Sequence, residues 1–346
     1  VIDGGLMNNQ IGFSARGVGD VNKDGFEDVL IGAPNATDGI GKAFLVFGKS
    51  RKDVISPLFV TDLNSSNFIE FRGDPGVDSF GISVASGDWN HDGFVDISVG
   101  AFGGKIWSGQ VYIIFGHQGD WPAAINASDV GIGVPGTKVI GESGSRCGIS
   151  VSNAGDVNFD GIQDMLIGAI YASPLARIFA GSGYILFGSE AAWPPVIDLS
   201  RLVPQIGIRI YGSLAGDFFG CSTSGAADFN HDGIEDILVG SSLADPYGKV
   251  NAGTVTLLFG GSSKWKSDLD TLVDINGTSG IKFLGIQEND FSGHSVSRAG
   301  DWNRDGIQDF IIGAPYHSPN RSLLHTGKTF IIFGQEHGDW HALANL

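Results

Sequence analysis

The sequence predicts an all-β fold assembled from five repeats of four strands. Three observations predict it. Of 346 residues 54 are glycine, and no long stretch carries the apolar period of a helix. A nine-residue pattern, Asp-x-Asn-x-Asp-Gly-x-x-Asp, begins at Asp20, Asp88, Asp156, Asp228 and Asp301. Those starts lie 68, 68, 72 and 73 residues apart. Spacing this regular marks an array of supersecondary units. Four short strands repeated radially describe the blades of a β-propeller.

The second unit displays the four strands in order: Gly81-Ile82-Ser83-Val84, Asp96 to Ala101, Gln110 to Gly116, and Thr137 to Gly141. Short apolar runs bounded by glycine read as buried strands. The third strand ends in Phe-Gly every time, at Phe47-Gly48, Phe115-Gly116, Phe187-Gly188, Phe259-Gly260 and Phe333-Gly334. The units span about 11–79, 80–146, 147–218, 219–291 and 292–346 with 1–10, in one domain covering 1–346. The fifth unit has a third strand and then only a short tail. Val1-Ile2-Asp3 stands in fourth-strand register, because Gly4 precedes Gly12 by the same 8 residues that separate Gly73 from Gly81. The expectation is therefore five antiparallel blades, with the N-terminal strand completing the last one and removing its exposed edge.

Each nine-residue pattern joins the first strand of a blade to the second. Positions 1, 3, 5 and 9 bear side-chain oxygens, and a glycine at position 6 permits a sharp turn. Hard oxygen donors on such a turn suit Ca²⁺, with the position-7 carbonyl and water completing the shell. The candidate ligands are Asp20, Asn22, Asp24, Phe26 and Asp28; Asp88, Asn90, Asp92, Phe94 and Asp96; and Asp156, Asn158, Asp160, Ile162 and Asp164. Two further sets are Asp228, Asn230, Asp232, Ile234 and Asp236, and Asp301, Asn303, Asp305, Ile307 and Asp309. An EF-hand is excluded. It needs a glutamate at position 12, where this chain has Ile31, Val99, Ile167, Val239 and Ile312.

The formal charge is −17, and the five loops hold 15 aspartates. Five Ca²⁺ ions would offset ten of those charges, so most of the acidity is metal-site chemistry. No basic stripe points to nucleic acid, and no apolar run approaches the length that spans a bilayer. The sequence starts at Val1 without a signal-like segment, as expected of a mature or trimmed product. Cys147 and Cys221 flank equivalent glycines on opposite sides, and adjacent strand positions face opposite ways. They read as two buried free thiols.

These motifs resemble the FG-GAP repeats of the integrin alpha-subunit head, a calcium-binding propeller. The Gly-Ala-Pro half of the signature stands at Gly32-Ala33-Pro34 and Gly313-Ala314-Pro315, and decays to Gly100-Ala101-Phe102, Gly168-Ala169-Ile170 and Gly240-Ser241-Ser242. The leading Phe-Gly stands at Phe80-Gly81 and Phe219-Gly220, and becomes Ile11-Gly12, Cys147-Gly148 and Ser292-Gly293 elsewhere. The resemblance implies the same ligand positions in each loop. Integrin heads have seven repeats and this chain has five. The Asp-x-Ser-x-Ser metal site of integrin inserted domains is absent.

Other motifs carry less. Arg72-Gly73-Asp74 spells an integrin-ligand tripeptide, yet Gly73 recurs as Gly141, Gly212 and Gly285 and reads as structural. Trp121, Trp193, Trp265 and Trp340 follow the Phe-Gly step at near-constant distance, with Asp53 in that place in the first unit, and read as packing between blades. Sequons start at Asn35, Asn64, Asn126, Asn276 and Asn320. His91 and His231 occupy the variable fourth position of metal loops, and no Gly-x-Ser-x-Gly elbow or phosphate loop is present.

The expected function is a non-enzymatic adhesion or recognition module, secreted or on the cell surface, binding an extracellular protein or a glycan. The alternatives are a structural subunit of an extracellular assembly and a polysaccharide hydrolase or lyase. The metal loops share one face with the third-to-fourth connections. The opposite face carries the loops 35–41, 102–109, 170–182, 242–252 and 315–327, which vary in length and bear Trp107, Tyr171, Tyr247, Tyr316 and His317. Recognition concentrates in variable loops on a rigid frame, which nominates Trp107, Tyr171, Tyr247 and Tyr316 as ligand-binding residues.

Overall fold

The computed structural model describes residues 2–3, 9–50, 58–59, 68–76, 79–103, 107–191, 193–261, 265, 268–319, 324–336 and 341–346. Val1, Gly4, Asp53, Trp340 and the sequons at Asn64 and Asn320 lie outside them. β1 (Ile2–Asp3) precedes the repeats. Blade one comprises β2 (Ser14–Gly19), β3 (Asp28–Ala33), β4 (Lys42–Val46) and, after β5 (Leu58–Phe59), β6 (Phe68–Arg72). Blade two comprises β7 (Phe80–Gly87), β8 (Asp96–Ala101), β9 (Gln110–Ile114) and, after β10 (Ala124–Asn126), β11 (Gly136–Ile140). Blade three comprises β12 (Cys147–Gly155), β13 (Asp164–Ala169), β14 (Ser182–Leu186) and, after β15 (Val196–Asp198), β16 (Gly207–Tyr211). Blade four comprises β17 (Thr223–Ala227), β18 (Asp236–Ser241), β19 (Thr254–Leu258) and, after β20 (Asp268–Asp270), β21 (Gly280–Leu284). Blade five comprises β22 (Ser295–Gly300), β23 (Asp309–Ala314) and β24 (Lys328–Ile332), followed by β25 (Leu343–Asn345).

Blades one to four are antiparallel four-stranded meanders, as the sequence predicts, and each gains a fifth strand that it does not. β10, β15, β20 and β25 lie parallel on the fourth strands β6, β11, β16 and β21. Each comes from the stretch after the next blade's Phe-Gly step. The added strand covers an outer edge that would otherwise present unpaired N–H and C=O groups. β5 lies parallel on β1 in the same manner, Ile2 opposite Leu58. β1 and β5 form a two-stranded sheet of their own. Among the described residues β24 has β23 as its strand partner and no fourth strand beside it.

The second strand of each blade lies between the first and the third, and β8, β13 and β18 are buried along their whole length. They read as continuous apolar runs because both faces are covered. The chain forms two compact units, residues 1–151 with 189–201, and 152–188 with 202–346. In the first, the core lies between blades one and two, where Leu30, Leu45, Ile69 and Phe71 meet Phe80, Val84, Ile97 and Tyr112. In the second, Ile185, Ile208 and Ile210 meet Phe219, Ile237 and Val239, and Phe229 and Phe283 close on Phe310 at 4.8 and 5.3 Å.

The periodic tryptophans pack between blades. Trp193 lies against Phe115 at 6.3 Å. Trp265 donates its Nε1 proton to the Phe259 carbonyl at 3.1 Å and borders the blade three–four core. Both thiols are free, Cys147 buried and Cys221 partly buried. The Arg-Gly-Asp tripeptide is built into the frame. Arg72 donates to Glu70 at 2.6 and 2.9 Å, the Gly73 N–H bonds the Gly41 carbonyl, and Asp74 accepts the Tyr112 hydroxyl.

Adjacent blades meet through glycine. A Cβ at Gly240 would stand 2.1 Å from the Gly293 carbonyl oxygen, which belongs to the next blade's leading step. At the equivalent Gly313 a Cβ would meet only Ser295, its Oγ 2.4 Å away and able to rotate. Overpacking a close backbone contact costs about 1–3 kcal/mol. Gly240→Ala should therefore lower unfolding free energy by that amount in urea melts, and Gly313→Ala should leave it within about 0.5 kcal/mol of the parent.

Candidate metal loops and recognition face

The five Asp-rich loops share one hydrogen-bond scheme. In the first, the Asp20 carboxylate accepts the N–H groups of Asp24 and Gly25 at 3.0 and 2.8 Å. Asn22 accepts the same Asp24 N–H at 3.1 Å and donates to the Asp24 carboxylate at 3.0 Å. Asp24 also accepts the Phe26 N–H at 2.9 Å. The same bonds recur around Asp88, Asp156, Asp228 and Asp301 within a few tenths of an ångström. The scheme requires left-handed backbone at two places. Position 6 is glycine throughout, while position 4 is Lys23, His91, Phe159, His231 or Arg304 at φ between 55 and 62°. That strain, uncommon for a non-glycine residue, turns the position-4 side chain out of the loop. Lys23 consequently reaches the neighbouring loop, with Nζ 3.2 Å from the Gly93 carbonyl oxygen and 3.7 Å from the Phe94 ring centre.

Position 9 behaves differently from the rest. Asp28, Asp96, Asp164, Asp236 and Asp309 are fully buried. One oxygen of each accepts the N–H of loop position 2, at 2.9, 2.9, 3.0, 2.9 and 2.7 Å. The other accepts the N–H of the Phe-Gly glycine, at 2.8, 2.8, 2.9, 2.9 and 2.9 Å. The Phe-Gly step is therefore the partner of the metal loop. A Cβ at Gly116 would stand 2.5 Å from the Val95 carbonyl oxygen, so only glycine brings its N–H this close. Burial pushes the Asp96 carboxyl up to about 7 and those of Asp164 and Asp236 up to about 8. The two N–H donors oppose that rise, and the aspartates at positions 5 and 1 add to it.

The donor chemistry fits a hard cation. Positions 1 and 3 accept one backbone N–H, the position-5 carboxylate lies beside them on that of position 7, and the position-9 carboxyl is raised chiefly by its burial, with the neighbouring aspartates adding to the rise. Among the described residues no group of three His, Cys, Asp or Glu side chains stands arranged to hold a metal ion. The oxygens instead turn onto backbone N–H groups.

At the other end of the second strand, the loops after β13, β18 and β23 share a backbone clamp. Ser173 Oγ, an Asp245 carboxylate oxygen and Ser318 Oγ accept the N–H of Phe179, Asn251 and His325 at 3.1, 2.7 and 2.9 Å. Sequence length variation hides this repeat; it is the side chains that vary. The structure separates the four nominated aromatics. Trp107 and Tyr247 are 54% and 68% exposed, and Arg146 lies over the Trp107 ring at 5.0 Å. Tyr171 is half-buried against Phe179 and Phe218, with centroids 5.2 and 4.9 Å away. Tyr316 is 45% exposed and has Phe291 and His325 edge-on to its ring at 5.0 and 5.3 Å. His317 is engaged by Asp290 at 2.8 Å. Exposed Leu175, Ile178, Phe179 and Val250 join Tyr247 on the unit-two loops; the aromatic count alone passes over the aliphatic ones. Leu175 and Tyr247 occupy equivalent left-handed positions, φ 53 and 55°, each after a proline.

Removing a buried acceptor leaves two N–H groups without a partner, at about 1–3 kcal/mol each. Asp236→Ala should cost blade four about 2–5 kcal/mol in chelator, read by urea unfolding, and Asp236→Asn, which keeps one acceptor, should cost clearly less.

The FG-GAP repeat family matches residues 17–46 and 219–258, which contain the first and fourth metal loops. Over 335 residues, 94% of this chain, the sequence is 27% identical to integrin alpha pat-2 of Caenorhabditis elegans, covering 24% of that protein. It is 29% identical to human integrin alpha-6 over 242 residues, 68% of this chain and 18% of that protein. It is 30% identical to the phosphatidylinositol-glycan-specific phospholipase D of Bos taurus over 190 residues, 53% of this chain and 21% of that protein. The chain thus spans about a quarter or less of these relatives. No helix among the described residues is long and apolar enough to cross a membrane. With its propeller blades and Asp-rich loops, the chain thus carries FG-GAP repeats and is similar in sequence to the integrin alpha subunits.

Proposed function

We propose that the chain is a calcium-stabilised, non-enzymatic recognition module working outside the cell, with five repeat units bounded at 80, 147, 219 and 292. Each Asp-rich loop binds one Ca²⁺ through the side-chain oxygens of positions 1, 3, 5 and 9 and the position-7 carbonyl. In the first loop those are Asp20, Asn22, Asp24, Asp28 and Phe26. The ion neutralises carboxylates that otherwise repel one another. Multi-aspartate loops of this kind suit Kd values of about 10⁻⁴–10⁻³ M, the extracellular range. Kinship to integrin alpha subunits favours the same setting and an adhesive or recognition role.

The observation that carries the recognition reading is the contrast between the two ends of each blade. The metal end repeats the same Asp, Asn, Asp, Gly and Asp at positions 1, 3, 5, 6 and 9 in all five copies. The other end repeats a backbone clamp in three copies, and its exposed apolar side chains differ from loop to loop: Trp107, Leu175 with Ile178, and Tyr247 with Val250. A frame that holds loops fixed while their side chains differ is suited to binding, and aromatic residues concentrate at such contacts. Tyr316 is exposed in its own loop as well, and Tyr171 packs against Phe179 and Phe218. The partner is an extracellular protein or a glycan.

Calcium at about 100 times Kd should stabilise by about 2.7 kcal/mol per site. Thermal melts should therefore rise steeply from chelator to 10 mM calcium, with binding heat in calorimetry; equal melting temperatures and no heat overturn the metal reading. In a screen of extracellular proteins and glycans, Tyr247→Ala and Trp107→Ala should weaken binding about tenfold or more without shifting the melt. Binding lost only on altering the metal-end residues Trp121 and Trp193 overturns the face assignment. Turnover of a polysaccharide in the same screen overturns the non-enzymatic reading.

A further inference from the structure

Two side-chain positions, 4 and 8, carry contacts between consecutive metal loops, and their charges differ between the two units. Position 4 reaches forward. Lys23 of the first loop has its Nζ 3.2 Å from the Gly93 carbonyl oxygen and 3.7 Å from the Phe94 ring centre. Gly93 and Phe94 are positions 6 and 7 of the second loop, and the Phe94 carbonyl is a candidate ligand. In the third loop position 4 is Phe159, 69% exposed and without charge.

Position 8 reaches back, to the glycine just ahead of position 1 in the preceding loop. A Cβ at Gly19 would come within 3.7 Å of Val95, so an apolar side chain stands in that place beside the first loop. Beside the third loop the place is held by Glu235. Its carboxylate accepts the Asp156 N–H at 2.8 Å, and a Cβ at Gly155 would overlap it. Gly19 and Gly155 share the left-handed φ at this step, 79 and 81°. Asp156 is position 1 of the third loop. Glu235 therefore brings a fourth carboxylate to a loop whose own donors include three, Asp156, Asp160 and Asp164.

The side chains that would ligate are the same in every loop: Asp, Asn, Asp and Asp at positions 1, 3, 5 and 9. Loops with one donor set differ in affinity through the charges around that set. The Lys23 ammonium beside the second loop opposes a cation there. The Glu235 carboxylate beside the third loop favours one. Lys23 is exposed, so water and salt screen its effect; Glu235 is half-buried and screened less.

We propose, on the reading that each Asp-rich loop binds Ca²⁺, that neighbouring loops grade one another's affinity: Glu235 of the fourth loop strengthens the third, and Lys23 of the first weakens the second. The third loop accordingly fills at lower calcium than the second. Blade three gains its metal brace at a calcium concentration that leaves blade two without one. The five loops then form a graded series, although their ligand patterns are identical.

Nuclear magnetic resonance of the full chain during a calcium titration reads the loops one by one. The position-6 N–H donates to the position-1 carboxylate, at 3.0 Å from Gly93 to Asp88 and 2.8 Å from Gly161 to Asp156, so loading shifts the glycine signal. Labelling Asp at its carbonyl carbon and Gly at its nitrogen selects the Asp-Gly pairs, which start at 3, 24, 38, 92, 160, 232 and 305. The Gly161 signal should reach its midpoint at lower calcium than that of Gly93. Glu235→Gln, which keeps an acceptor for the Asp156 N–H, should raise the Gly161 midpoint about two- to fivefold. Lys23→Met, which keeps a stem of similar length over Phe94, should lower the Gly93 midpoint about two- to fivefold. Both shifts should shrink as potassium chloride rises from about 20 to about 500 mM. Variants that keep the parent's midpoints, or shift them equally at both salt concentrations, overturn the tuning, as does a Gly93 midpoint at or below that of Gly161. Loop signals that stay still up to about 10 mM calcium overturn the metal reading itself, and the tuning with it.

Discussion

The structure depends on one buried carboxylate per blade. Asp28 and its four equivalents receive an N–H from the Asp-rich loop and another from the Phe-Gly step at the end of the third strand. Burying an ionised carboxylate is costly unless it is hydrogen-bonded. Both oxygens are engaged, and the remaining cost appears as carboxyls raised to about 7 or 8 at Asp96, Asp164 and Asp236. A dication in front of the carboxylate would offset that cost directly. The loop, the third strand and the proposed ion are therefore one device, which explains why the Asp-rich pattern and the Phe-Gly pattern recur together.

The second constraint is close backbone approach between blades. Glycine at Gly32, Gly100 and Gly240 lets the next blade's carbonyl come to where a side chain would stand, and a serine then fixes that carbonyl. Ser83 is worth more than its single hydrogen bond, because without it the buried Gly148 carbonyl would lose a donor. Both constraints act on backbone atoms. This is why the residue before the leading glycine can be Phe80, Cys147, Phe219 or Ser292 without change of geometry: it contributes an N–H, and the side chain only fills space.

Much of this was legible in the sequence. The period, the four strands, the sharp turn at position 6 and the Phe-Gly marker followed from residue types whose reasons are local. Three things were not. The second task of position 9, joining the loop to the Phe-Gly step, was not read, since an aspartate looks the same whether it faces solvent or lies buried among strands. The added strands β10, β15, β20 and β25 have three residues each and owe their existence to a neighbouring edge. The shared clamp on the recognition loops was concealed by unequal loop lengths, and appears only when Ser173, Asp245 and Ser318 are seen accepting equivalent N–H groups. Each miss concerns a long-range relation, which no periodicity records.

The two ends of a blade thus solve different problems with similar means. At the metal end, side-chain oxygens hold the backbone, so positions 1, 3, 5 and 9 are the same in every copy, while position 4, whose side chain leaves the loop, differs in character from copy to copy. It is Lys23, His91, Phe159, His231 or Arg304 in turn. At the opposite end a single Ser or Asp oxygen holds the loop, and the intervening side chains are released from structural duty. Leu175 and Tyr247 show the consequence: the same strained backbone, φ near 54°, presents an aliphatic side chain in one blade and a phenol in the next. Strain of that kind persists only where the surrounding bonds over-determine it. Here the clamp and the preceding proline do so, and they leave the exposed residue open to change. A surface organised in this way can alter what it recognises without altering how it folds.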